Sequence, residues 1–232
     1  MLLKELLQRL QSVYNKGVPS QSKRLSDRHI YNKLLTLRSK LLYQQVSKKQ
    51  KISDFNYSVI DCIELEEVPH INCPCVPRTG CNVMRTKYPL PKPVSNFSSH
   101  LIEYVCSIDK KTRFTESSAI EYQYKSHNKY THSLPVYIIE NNFGYFYGNN
   151  IPKAVSIKLL LSDPITAYSH PTLCSTEGLI VDNCIDIREI NFPIDDHLLE
   201  DMLELAKQEI KELLLIEDDT RNNMIDDVEP KK

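Results

Sequence analysis

The stretch SDRHIYNKLLTLRSKLLYQQVSK, Ser26–Lys48, decides how the chain is read. Ile30, Leu34, Leu37 and Leu41 recur at the spacing of one helical face, and Tyr31, Leu35 and Leu42 add a second stripe beside it. An apolar face this wide packs on two neighbours. Ser26 or Asp27 can accept the free N–H groups of the first turn. The spacing predicts a helix over 27–48.

The same stretch is strongly basic. Between Lys16 and Lys51 stand ten lysines and arginines, and Asp27 is the only acid. From Asp195 to Lys232 the balance reverses, with thirteen acids against five bases. The whole chain of 232 residues carries a net charge of only −1, so polarity is hidden in the total. Such asymmetry suggests contact between unlike ends of successive copies, or a basic surface facing nucleic acid. A solvated helix face is the plainer explanation of any charge run.

Outward from this helix the chain reads in order. Leu3, Leu6, Leu7 and Leu10 predict a first helix over 2–14, ended by Gly17 and Pro19. Phe55–Leu65 switches to a period of two, with Phe55, Tyr57, Val59, Asp61 and Ile63 on one face. Val83–Tyr88, His100–Ile108 and Thr112–Glu116 read as further strands, and Ser117–Lys125 as a turn or two of helix. Pro135–Glu140 and Phe143–Tyr147 flank Asn141–Asn142, a hairpin signal, because asparagine tolerates positive φ. Lys153–Leu161 is expected to continue the hairpin as a meander. Leu199, Met202, Leu203, Ala206 and Ile210 predict a last helix over 196–216.

Helices and strands are segregated, so the class is α+β: N-terminal helices, a central antiparallel β region over 55–161, then a C-terminal helix and tail. No linker divides the chain, which suggests one domain over 1–216. Residues 217–232 are charged and are expected to order only on a partner.

The start, MLLKELLQRL, reads as an amphipathic helix rather than a signal sequence, and no apolar run is long enough to span a bilayer. Seven cysteines suit free thiols or a metal in a reducing cytosol better than a disulfide framework. Cys62, Cys73, Cys75 and Cys81, with His70 among them, could make a tetrahedral zinc site. The single residue between Cys73 and Cys75 argues against that and for small buried thiols. Otherwise no cofactor is expected. Glycine-rich phosphate loops, HExxH and GxSxG are missing, so no catalytic residues are assigned and an enzyme is not expected.

The run NKGVPSQSKRLSDRHIYNKLLTLRSKLL (15–42) resembles the opening of head-to-tail connector proteins of crAss-like tailed phages. QKISDFNYSVIDCIEL (50–65), CPCVPRTGC (73–81) and MRTKYPLPKP (84–93) continue the likeness. PVYIIENNFGYFYGNNIPKAVSIKLLLSDP (135–164) followed by FPIDDHLLEDMLELAKQEI (192–210) resembles the β portion and terminal helix of podovirus neck adaptors. The resemblance implies a virion protein at the head–tail interface, assembled in the host cytoplasm. It implies a ring, a dodecamer in such families, docked under the portal. The ring would extend the DNA channel and offer a platform to other ring and tail proteins, without sequence-specific DNA binding and without a membrane. On this reading Arg24, Arg28, Lys33, Arg38, Lys40, Glu204, Glu209, Glu212, Asp218 and Asp219 are the residues expected at inter-subunit, portal or DNA-facing surfaces. The alternative is a zinc-ribbon-like nucleic-acid-binding protein.

Overall fold

The computed structural model describes residues 1–14, 26–73, 76–77, 80–96, 99–174 and 187–216. Contacts divide the chain into two compact units, Met1–Ile52 with Asp186–Lys232, and Ser53–Ile185. No linker composition in the sequence marks this division. The chain simply leaves the helical unit once and returns to it.

The helical unit holds α1 (Leu3–Tyr14), α2 (Asp27–Ser47) and α4 (Asp196–Ile216). Ser26 caps α2, its hydroxyl accepting from the His29 N–H at 3.2 Å. The expected stripe is the buried one: Ile30, Leu34, Leu37, Leu41 and Leu42 all lie inside. They share a core with Leu3, Leu6 and Leu10 of α1 and with Met202, Leu203 and Ala206 of α4. Each fully buried leucine contributes roughly 1.5–3 kcal/mol relative to exposure. The two ends of this unit are joined by backbone. Leu3 N–H donates to Ile190 O and Phe192 N–H to Met1 O, both at 3.0 Å.

The second unit is a closed barrel. Its strands are β1 (Ser58–Pro69), β2 (Asn82–Thr86), β5 (Ile102–Ser107), β6 (Arg113–Glu116), β7 (Val136–Glu140), β8 (Phe143–Tyr147) and β9 (Ala154–Leu159). A small separate ladder joins β3 (Ser95–Asn96) to β4 (Ser99–His100). The order round the barrel is β1-β2-β8-β7-β6-β5-β9. Neighbours run antiparallel except β6 and β7, which are parallel. A parallel pair needs a crossover, and α3 (Ala119–His127) lies in it. A reciprocal cap starts this helix: Ser118 accepts the Glu121 N–H while the Glu121 carboxylate accepts the Ser118 N–H.

Ile60, Ile63, Leu65, Val105, Phe114, Tyr137, Phe146, Val155, Ile157 and Leu159 fill the interior. Phe114 and Phe146 meet edge to face at 5.2 Å. The barrel is therefore a packed core and not a pore. A second apolar cluster, including Val83, Ile138, Tyr145 and Tyr147, lies on the outside of β2, β8 and β7.

Two strand expectations are corrected. The β7–β8 hairpin forms as read, with Asn141 and Asn142 at φ 52° and 65°. β9 does not extend it as a meander. It crosses to lie between β1 and β5, while β8 pairs with β2. In β1 the simple alternation fails. A bulge between Ile60 and Ile63 inserts a residue, so both isoleucines face the core and Cys62 takes φ 58°.

Cys62 at this bulge is bonded to Cys174, 112 residues away. This corrects the expectation of free thiols throughout. The bond ties the segment after β9 back to β1, beside the hydrogen bond from Leu173 N–H to Cys62 O. A link closing so long a loop constrains the unfolded chain and is worth about 2–4 kcal/mol. Reductant is thus expected to lower the melting temperature of the wild-type protein and to leave that of Cys174→Ser unchanged, a comparison that differential scanning fluorimetry makes directly.

Candidate assembly surfaces

The basic helix and the acidic helix meet inside one chain. Lys33 Nζ lies 2.5 Å from Glu209 Oε2, between α2 and α4. Both side chains are about one-third exposed (37% and 32%), so the pair contributes only about 0–1 kcal/mol. Asp27, at the start of α2, is engaged by Arg188 at 2.8 Å. Of the residues expected at surfaces, Lys33 and Glu209 thus have a partner in their own copy.

Arg38 is placed elsewhere than expected. It is fully buried in the helical core, and its Nε donates to Pro193 O at 2.8 Å. Its position on the apolar stripe, between Leu37 and Leu41, is what carries it inside. Arg28 and Lys40 on α2 and Glu204 on α4 are exposed, as an interface requires. Glu212 is in α4, with its side chain outside the described residues. Arg24, Asp218 and Asp219 lie outside the described residues.

The described cysteines of the 62–81 stretch have different surroundings. Cys62 is taken by Cys174. Cys73 is buried in the outer apolar cluster, with Arg85 Nη1 3.9 Å from its sulfur, while Cys81 is exposed. The nearby His70 closes its own loop: Nε2 donates to Val76 O at 2.9 Å. Cys75 lies outside the described residues. Among the described residues no three histidine, cysteine or acidic side chains are grouped to hold a metal. Held in its disulfide, Cys62 is not available as a zinc ligand.

Surfaces on the barrel were not singled out in the sequence. On the outer side of β1, β9 and β5, Val59, Lys158 and Tyr104 stand side by side across the ladder. Lys158 is only 13% exposed; it pairs with Glu103 at 2.6 Å and Asp54 at 3.1 Å. The rings of Tyr57 and Tyr104 lie 5.3 and 6.0 Å from its ammonium. The Glu103 hydrogen bond pushes the lysine pKa up. Its contribution to stability is present below the ordinary lysine range and is lost only as alkaline pH passes the raised value. Further along β1, the Asp61 carboxylate accepts from the Ser156 hydroxyl. The signal for this cluster was the alternation of Tyr57, Val59 and Asp61, which the sequence reading used only to recognise a strand.

Residues 5–228 match the family model described as phage tail ring protein 2, a span that includes residues of both compact units. No curated protein matches.

The contrast between Arg38 and its exposed neighbours can be measured. Arg38→Ala opens a cavity and strands the Pro193 carbonyl, so it is expected to cost about 3 kcal/mol in urea unfolding. Arg28→Ala and Lys40→Ala are expected to stay within about 0.5 kcal/mol of wild type.

Proposed function

The chain belongs to the phage tail ring protein 2 family, and from that premise we propose that it forms a ring at the neck of the particle, docked on the portal. Family membership makes it a structural ring protein of the phage tail, and hence of the virion. The resemblance to crAss-like connectors agrees with that membership.

The match over nearly the whole chain is the observation that carries this reading. The packed barrel supports a further step: since no single copy encloses a passage in its barrel, a channel must form between copies. A ring of this kind, a dodecamer by resemblance, extends the DNA path. It also offers its free face to other ring and tail proteins. Arg28, Lys40, Lys48 and Lys49 are exposed on or just after α2 and can meet phosphates by charge alone, without reading sequence. The acidic segment 217–232, or the helix before it, is the part proposed to contact the portal. Assembly takes place in the host cytoplasm before the tail is completed. The zinc-dependent alternative finds no support in where Cys62 and Cys73 lie.

The test is the native mass of the protein alone and after mixing with its portal, followed by electron microscopy. The expected result is a small species that enters rings of fixed stoichiometry on the portal. A protein that ignores the portal and makes no ring would remove the neck assignment.

A further inference from the structure

The barrel has two outer walls with exposed apolar side chains, and strand order puts them on opposite sides. In the closed order β1-β2-β8-β7-β6-β5-β9, β9 stands three places from both β8 and β7, the greatest separation seven strands allow. α3 lies on the β7–β8 wall, where Tyr122 packs on Tyr147 at a centroid distance of 4.4 Å. Ile120 and Tyr124, one helical turn apart, are 69% and 76% exposed. Tyr130, in the turn after the helix, is 83% exposed. On the opposite side Phe55 and Val59 are exposed, and Leu173, also exposed, is held to β1 by its bond to Cys62 O.

Scattered apolar side chains are ordinary on any surface. Grouped aromatic and branched side chains on two opposed walls are the composition of interface anchors. Their charges also differ. α3 and the turn after it carry Lys125 and Lys129 against Glu121. The opposite wall sets Asp54 and Glu103 on Lys158, with Asp61 bonded to the Ser156 hydroxyl further along β1 and Arg113 bonded to the Glu103 carbonyl.

We propose that α3 of one copy docks on the β1–β9 wall of the next copy, and that this is the contact that closes the ring. The inference rests on the ring reading above. A ring of many copies turns only slightly from one copy to the next, so its two mating patches must be unlike and nearly opposed. The barrel carries such a pair. Ile120, Tyr124 and Tyr130 supply the apolar knobs, Phe55, Val59 and Leu173 the receiving surface. Lys125 and Lys129 approach the carboxylates near Lys158 and set the register.

Zero-length carbodiimide coupling on purified phage particles tests this, because it joins only amines and carboxylates already in contact. Peptide mass spectrometry is expected to find Lys125 or Lys129 joined to Asp54, Asp61 or Glu103. Opposite walls of one barrel cannot give that link within a copy. Two variants then test the direction of the contact. Ile120→Asp with Tyr124→Asp blocks one wall, and Phe55→Asp with Val59→Asp blocks the other. All four positions are exposed, and unchanged melting temperatures verify the fold. Each variant alone is expected to lose ring formation on the portal, and an equimolar mixture added to the portal to give neighbouring pairs of one copy of each variant and no closed ring, since one good contact remains. Wild-type rings that persist in the first variant, or particle links from Lys125 and Lys129 only to other carboxylates, would overturn the contact and leave the ring reading standing. Wild-type protein that makes no ring at all, with no ring in the particle, would overturn both.

Discussion

Closure of the barrel by β9 is the constraint on which the second unit depends. β9 bonds to β1 on one side and β5 on the other, which closes the seven-stranded barrel. Its inward residues, Val155, Ile157 and Leu159, complete the interior against Ile60, Ile63 and Val105. Its outward Lys158 collects Asp54 and Glu103 from either flank. One strand thereby decides both what is packed inside and what is offered outside. The bulge at Cys62 belongs to the same closure: without the extra residue, Ile60 and Ile63 could not both face inward.

The helical unit depends on a different device, the return of the chain at residues 190–194. Hydrogen bonds to Leu3 and Met1 join this segment to the start of the chain, and Arg38 reaches Pro193 from the core. An arginine buried at the centre of a three-helix core is costly unless its donors are met. The backbone carbonyl supplied by the returning segment is part of what lets it stay there. Charge on α2 therefore has two roles. Lys33 and Arg38 act within the unit, while Arg28 and Lys40 face outward and are available to a partner.

A structural ring protein needs surfaces more than a pocket, and this division supplies them. The barrel interior is filled, and the surfaces proposed for assembly are its walls and the helices. Stiff side chains such as tyrosine, with few rotamers to immobilise, suit that task. Tyr57 and Tyr104 around Lys158, and Tyr124 and Tyr130 on and after α3, are placed accordingly.

The sequence by itself determined the helices, the hairpin turn, the α+β class and, through resemblance, the ring family. These depend on residues close together in the chain: the Ile30–Leu34–Leu37–Leu41 spacing, the Ser26 cap, the Asn141–Asn142 pair. Only the tertiary structure decided that β9 leaves the hairpin, that Cys62 meets Cys174, and that Arg38 is core rather than surface. Each of these joins residues far apart in sequence. Periodicity reports which face of an element is apolar, but not which distant element covers it. A two-residue period cannot show an inserted residue, and a charged residue on an apolar stripe looks exposed until the carbonyl that receives it is known. That knowledge comes only from closure of the chain on itself.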